Sequence, residues 1–392
     1  MSWEMVKLDD CLEWITYGFT NPMPDADNGP WKVTAKDIID GRINFDSARH
    51  TTQEAYEKDL TDKSRPIKDD LLLTKDGTLG RVALVGEETI CINQSVALLR
   101  LKKDIIAPEY LLYLLQSSEY QGKMLADAGG STIKHIYITK VNQMQIPLPP
   151  PETQRKLVDI LQAYDKILDI NQKQIKLLEE AAQRLYKEWF VDLRFPGHEN
   201  TPIIDGVPQG WKKERLVDIA DVVMGQSPKS EFYNQNSEGL PFHQGVGSYG
   251  SRFVVDDTYS TSYTRIALEG SILFSVRAPV GRLNITKNRI VIGRGLSAIN
   301  HKNKHQSYLF YMLKERFFED NLIGNGSIFA SISKEELLNQ VFLVPELECE
   351  KRFNIIVSSI DRQIEVLDER IKRLTEARDR LLPKLMSGEL EV

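Results

Sequence analysis

Basic side chains recur at matched places along this sequence, and their spacing suits contact with a polyanion. Lys75 and Arg81 form one pair and Arg277 and Arg282 another, each following a β-rich run. Gly80 and Gly281 precede the two arginines. Each site therefore suits either close approach of backbone to a phosphate or a tight turn carrying a surface arginine. Arg294 lies between Gly293 and Gly295, where a guanidinium could read guanine bidentately or hold a phosphate. Lys134 and His135 sit in a Gly-Ser loop, whereas the second occurrence of that loop carries Ala330 and Ser331. Between Ser271 and Arg316 nine basic residues accompany a single acid, Glu315, giving a local charge of +8. Asn, Gly and aromatic residues interleave that run, which favours DNA contact over a merely solvated face. Lys75, Arg81, Lys134, His135, Arg277, Arg282 and Arg294 are accordingly the candidate DNA-binding residues.

Catalytic constellations do not assemble from the same residues. An amino-methyltransferase needs an aromatic after Asn/Asp-Pro-Pro to stack on a flipped base, and Asn21-Pro-Met-Pro24 has proline there. Phe242-His-Gln-Gly-Val-Gly247 has the wrong spacing for a glycine-rich cofactor loop, and no phosphate-binding Gly-x4-Gly-Lys-Ser/Thr run exists. Pro24-Asp25 is not followed within thirty-odd residues by the Glu-x-Lys of a metal-dependent nuclease. His301 and His305 are four apart without the intervening Glu of a zinc hydrolase helix, so they read as solvated or phosphate-facing. These patterns point to binding without catalysis, and to no metal site.

The elements that must position these residues are written twice. Gly130-Ser-Thr-Ile-Lys-His-Ile136 matches Gly326-Ser-Ile-Phe-Ala-Ser-Ile332 at an offset of 196, which also places Pro149 on Pro345, Asp165 on Asp361 and Leu185 on Leu381. Upstream the offset drifts one way, to 201 for Leu72–Arg81 on Leu273–Arg282 and to 208 for Trp3 on Trp211. Ordered drift is what a tandem duplication with loops of unequal length produces. Each copy opens with a mixed globule, over 1–150 and 196–345, in which short β runs such as Ser95–Leu101 precede a helical stretch such as Pro108–Leu115. Each closes with a long helix, over 151–195 and 346–392. From Glu152 to Phe190 there is no Pro or Gly, enough for about 58 Å of helix at 1.5 Å per residue.

Both helices carry an apolar seam at alternating spacings of three and four. The first reads Leu161, Tyr164, Leu168, Asn171, Ile175, Leu178, Ala182, Leu185, and the second Val357, Ile360, Ile364, Leu367, Ile371, Leu374, Arg378, Leu381. Sustained heptads of this kind predict a coiled coil, with Asn171 fixing register and Arg378 at a splayed tip. The expected fold is α+β: two similar α/β heads joined by two long antiparallel helices that act as a coiled-coil spacer about a pseudo-twofold. Two heads on a spacer suit a ligand with two separated half-sites, of which double-stranded DNA is the obvious one. A two-headed protein-binding adaptor, or a two-headed DNA-binding module that works without enzyme partners, is the alternative.

Composition agrees with a soluble globular chain. The 392 residues are 41% hydrophobic and 27% charged, with net charge −6, which excludes a histone-like polycation. The first globule sums to −5 and residues 201–345 to +2, so the heads are electrostatically unequal. No apolar run approaches the roughly 20 residues that span a bilayer, and the N-terminus lacks signal-peptide regions. Cys11, Cys91 and Cys349 suggest neither a disulfide framework nor a zinc knuckle, which fits a reducing cytoplasm.

Globule, Ile146-Pro-Leu-Pro-Pro-Pro-Glu-Thr-Gln154, long helix, second globule with Met224-Gly-Gln-Ser-Pro228, and a helix ending Leu385-Met-Ser-Gly-Glu-Leu390 follow one another in this order. The chain thereby resembles, over nearly its whole length, the specificity subunit of type I restriction-modification systems. The second helix lead-in, Val341 to Lys351, is a looser match, with Glu350 where Gln154 stands in the first. The resemblance implies a non-catalytic subunit of the prokaryotic cytoplasm. Its two target recognition domains would each read one half of a bipartite, asymmetric DNA site, with the helices setting the gap. It implies as partners two modification subunits that methylate adenine and two restriction subunits. S-adenosylmethionine, ATP and Mg would belong to those partners, and this chain would hold no cofactor.

Overall fold

The computed structural model describes residues 3–126, 128–129, 134–317 and 331–392. Much of the Gly-Ser repeat, at 130–133 and 326–330 with Ala330, lies outside them. Two compact units emerge, one from Met1–Ile170 with Arg370–Val392, the other from Asn171–Glu369. Their boundary cuts each long helix near its middle rather than at the expected domain edges, because the two halves of a helix belong to different cores.

The first unit is built on an antiparallel sheet in the order Leu12–Tyr17, Val96–Leu101, Leu71–Thr74, Val82–Leu84. Its central strands are apolar at almost every position because both faces are covered. Leu71, Leu73, Ala97 and Leu99 face the larger core, which holds the helix Pro108–Gln116, while Leu72, Val96 and Leu98 face a smaller one. The period-2 alternation of a strand thus sorts one apolar run into two cores. The smaller core is closed by a three-stranded sheet in which Ala26–Val33 runs parallel to Ile90–Ile92. Glu4–Lys7 pairs with Gln145–Leu148 and leads the chain to Pro151, where proline supplies the first turn of the helix Pro151–Tyr186.

The second unit repeats this plan. Its sheet runs Ala220–Met224, Leu296–His301, Ile272–Ser275, Leu283–Ile285 in the same order. Ile272 and Phe274 face the larger core and Leu273 the smaller, as Leu71, Leu73 and Leu72 do in the first. Leu240–His243 runs parallel to Ile290–Ile292, and Lys212–Arg215 pairs with Val341–Val344 ahead of the helix Leu347–Met386.

Within each unit the helical halves pack antiparallel. In the first, Leu157, Val158 and Leu161 share a core with Leu382, Leu385 and Met386, and Asp165 meets Arg378. In the second, Ala182 and Tyr186 pack with Phe353 and Val357. Every position of both expected seams is turned from solvent at least in part, and Asn171 is only 1% exposed. Arg378 is not at a splayed tip. Its guanidinium donates to Asp165 at 2.8 Å, and Asp165 also accepts from the Tyr113 hydroxyl at 2.5 Å. The first helix is α-helical to Tyr186 and ends in a π-turn over Lys187–Val191 that buries Trp189 and Phe190.

Candidate nucleic-acid interface

In each unit one end of the four-stranded sheet gathers the loops that carry the candidate residues. The strands Leu12–Tyr17 and Leu71–Thr74 end where Val96–Leu101 begins, so the segments after Tyr17, after Thr74 and before Val96 are neighbours. Lys75 N–H donates to Ser95 O at 2.9 Å, and the segment carrying Lys134 and His135 joins them where Ile136 N–H donates to Lys75 O at 2.9 Å. In the second unit Val276 N–H donates to Gly295 O and Ile332 N–H to Val276 O, both at 2.9 Å. Arg277, Arg282 and Arg294 therefore share one sheet end, as Lys75, Arg81, Lys134 and His135 do in the first unit.

The paired turns are held by one hydroxyl each. Thr74 Oγ1 accepts from Arg81 N–H at 2.9 Å and donates to Thr78 O. Ser275 Oγ accepts from Arg282 N–H at 2.8 Å and donates to Pro279 O at 2.6 Å. Gly80 and Gly281 have φ of +82° and +87°, which explains glycine at both. A Cβ at Gly80 would meet the Gln121 side chain at 2.8 Å, and one at Gly281 would meet Phe317 at 3.0 Å. Of the two readings of these glycines, this packing favours the tight turn, because their open side faces the protein's own helix.

The cations at these ends differ in availability. Arg81, Lys134, Arg277, Arg282 and Arg294 are exposed. Arg81 spends one donor on Ile38 O at 3.2 Å. Lys75 is only 17% exposed, paired with Asp76 at 2.7 Å and lying 5.3 Å from the Tyr17 ring. His135 bonds the other Asp76 oxygen. Burial pushes the Asp76 carboxyl up, but the hydrogen bonds from His135 and Lys75 outweigh it and hold the group below its ordinary value. To reach a phosphate, Lys75 would first have to leave Asp76.

The +8 run is in part structural rather than a free basic face. Lys287 is bonded to Asp368 at 2.9 Å and Glu369 at 3.1 Å, and Lys302 to Val217 O at 2.7 Å. Lys314 is buried deeply enough that its ammonium titrates below the usual lysine value. His301 and His305 are not solvated either, contrary to the sequence expectation. Both turn inward on Glu350, whose Oε1 lies 3.2 Å from His301 Nε2.

These three side chains are the one group among the described residues with the types and closeness for a metal ion. The hydrogen bonding argues otherwise. Burial, reinforced by His305, lowers the His301 pKa to about 4, so the ring is neutral. Asn303 N–H donates to His301 Nδ1 at 3.1 Å, which leaves the ring proton on Nε2, the atom facing Glu350. A metal would need the lone pair of that nitrogen. The His305–Glu350 hydrogen bond instead ties the head to the second long helix, as Gln154 does in the first copy by accepting from Ala107 N–H at 2.7 Å and donating to Ile105 O at 3.1 Å.

Two positions escaped the sequence reading. Arg252, 2% exposed, joins Asp361, Glu179 and the Tyr311 hydroxyl within the second unit. Nothing local marks it as buried. Gln94 is exposed in the turn that matches Gly293-Arg294-Gly295, and the offset of 200 between Ile92 and Ile292 would have located it.

The sequence profile of the type I restriction modification DNA specificity domain matches residues 2–180 and again residues 208–376. The chain is 30% identical to the MjaX type I restriction enzyme specificity subunit of Methanocaldococcus jannaschii, over 100% of this chain and 94% of that one. It is 27% identical to the MjaIX specificity subunit of the same organism, over 93% of this chain and 87% of the relative. Its fold is similar to the crystal structure of the S subunit of a type I restriction-modification system from M. genitalium, with TM-score 0.61 and 18% identity over 98% and 96% of the two chains. No helix among the described residues is long and apolar enough to cross a membrane.

Proposed function

The chain belongs to the family of type I restriction-modification specificity subunits, and from that premise we propose that it is the DNA-reading, non-catalytic member of a larger assembly. Each head reads one half of a bipartite double-stranded site, and the long helices set the gap between the halves. The chain also holds two modification subunits and, with them, two restriction subunits. S-adenosylmethionine, ATP and Mg are held by those partners.

One observation carries this reading: the same sheet end is built twice, on one scaffold and with the same hydroxyl-held turn, but with different exposed side chains. Duplicated scaffold with divergent loops is what two different half-sites require. Phosphate contacts from Arg277 and Arg282 would position the second head without specifying bases. The test is reconstitution with the cognate modification subunits and S-adenosylmethionine, followed by mapping of methylated adenines. A bipartite motif with a fixed gap is expected, and the chain alone should methylate nothing. In the same assembly, Arg277→Gln should leave the motif intact while flattening the slope of log affinity against log salt by about 0.9, one phosphate contact.

Scaffolding is supported by apolar side chains that the seams leave outside. Leu177 is 64% and Val366 62% exposed, and with Leu178 and Leu367 they line an apolar groove of about 660 Å³ in the second unit. Leu177→Asp and Val366→Asp are expected to shift stability by no more than about 0.5 kcal/mol, yet to abolish co-purification of a modification subunit. Unchanged co-purification in both variants would place that partner elsewhere.

A further inference from the structure

We propose that Gln94 and Arg294 are equivalent base-reading residues, one per head, with Gln94 selecting adenine and Arg294 selecting guanine. The inference rests on the DNA-reading function above and adds which positions choose the bases.

The equivalence is one of backbone geometry. Asn93-Gln94-Ser95 joins Ile90–Ile92 to Val96–Leu101, and Gly293-Arg294-Gly295 joins Ile290–Ile292 to Leu296–His301. Each turn closes with the same bond, Val96 N–H to Asn93 O and Leu296 N–H to Gly293 O, both at 3.0 Å. The segment after the edge strand clamps each turn from one side: Gly18 N–H donates to Val96 O and Phe19 N–H to Ile92 O, as Gly225 N–H does to Leu296 O and Gln226 N–H to Ile292 O. The turn carrying the paired cations clamps it from the other side, through Lys75 N–H to Ser95 O and Val276 N–H to Gly295 O.

In both units the clamp after the edge strand demands glycine. A Cβ at Gly18 would fall 1.8 Å from Ile92 O, and one at Gly225 would fall 2.1 Å from Gly293 O. The central residue of each turn is thus fixed by backbone on two sides while its side chain stays exposed. A rigid mount with a free polar tip is what base readout needs, since a loosely held tip discriminates poorly.

The residue types then assign the bases. A guanidinium donates twice to the O6 and N7 of guanine, whereas a carboxamide donates to N7 and accepts from N6 of adenine. Such a bidentate contact discriminates by about 5- to 150-fold against the wrong base. Arg294 is further steadied by its own N–H, which donates to Ser227 Oγ at 3.2 Å, while Gln94 N–H donates to Phe19 O at 2.8 Å.

The test maps methylation by the full chain assembled with its modification subunits, for the wild type and for Arg294→Gln, Arg294→Ala and Gln94→Arg. Thermal melting of each assembly verifies folding. Arg294→Gln should convert one guanine of one half-site to adenine, Arg294→Ala should relax that same position, and Gln94→Arg should convert one adenine to guanine in the other half. Gap and remaining bases should stay unchanged. An unaltered motif with uniformly weaker methylation would overturn the proposal and make both side chains backbone contacts. So would complete loss of methylation in all three folded variants, since one base contact cannot account for it. A wild-type map with no bipartite motif would instead overturn the function on which the proposal rests.

Discussion

Replacing Arg252 with alanine is expected to destabilise the second compact unit by about 3–5 kcal/mol, the cost of breaking a buried ion pair by removing one partner. The guanidinium is enclosed: Phe310 lies 4.0 Å beneath it, Tyr311 Oη is 3.2 Å away and Glu179 3.5 Å away, with Asp361 bonded to its other nitrogen. Burial by itself would favour losing the proton, but Asp361, Tyr311 and Glu179 together hold the group above the ordinary arginine value. Alanine would leave those two carboxylates beside a cavity, with the buried Lys314 as the cation still near both. Because Glu179 belongs to the first long helix and Asp361 to the second, the head would lose one buried tie to each helical half of its unit. Hydrogen exchange on the full chain should show the loss confined to 171–369, with 1–170 protected as before. Arg42→Ala is the control. Arg42 meets Asp169 at 2.6 Å but is 60% exposed, so its loss should cost less than about 1 kcal/mol. Equal effects of the two substitutions would mean that the buried cluster contributes nothing beyond a surface pair.

What could be read from the amino-acid order follows from which signals are local. Strand alternation and heptad spacing are local, so the runs around Leu71–Leu73 and Val96–Leu101 and both seams were legible, and the repeat supplied its own check. The parallel pairing of Ala26–Val33 with Ile90–Ile92 was not, because nothing near either strand names a partner some sixty residues away. The same holds for charge. Lys287 and His305 looked like parts of a basic face until Asp368 and Glu350, more than forty residues downstream, folded over them. Arg378 was misjudged for the converse reason. Its matched position in the repeat is Ala182, so the repeat marked it as an oddity without revealing that Asp165 awaited it. Glycines drew attention to Arg294, whereas Gln94, flanked by Asn93 and Ser95, carried no such flag.

Lengthening both helices by one heptad, after Leu178 and after Leu374, is expected to widen the recognised gap by about three base pairs. Seven residues add about 10.5 Å of helix at 1.5 Å each, and DNA rises about 3.4 Å per base pair. The insertion points are chosen from the contacts. Asp165 and Arg378 stay on the same side of both insertions, as do Glu179, Arg252 and Asp361, so each head keeps its ties to its own helical halves. A whole heptad also returns each seam to phase, so apolar positions still meet apolar positions. Half-site bases should therefore be unchanged, because neither sheet end is touched. Three base pairs rotate the second half-site by roughly a third of a turn, at 10–10.5 per turn. Affinity should fall unless supercoiling of the added heptad or twisting of the DNA absorbs that angle. Inserting two residues instead would rotate each helix beyond the insertion by about 200° and turn its apolar seam positions toward solvent. That variant is expected to lose stability first, so the heptad is the informative one. A methylation map of the reconstituted heptad variant decides between two mechanisms: a longer gap with the same bases means that the helices set the spacing, whereas an unchanged gap means that contacts outside the helices position the heads.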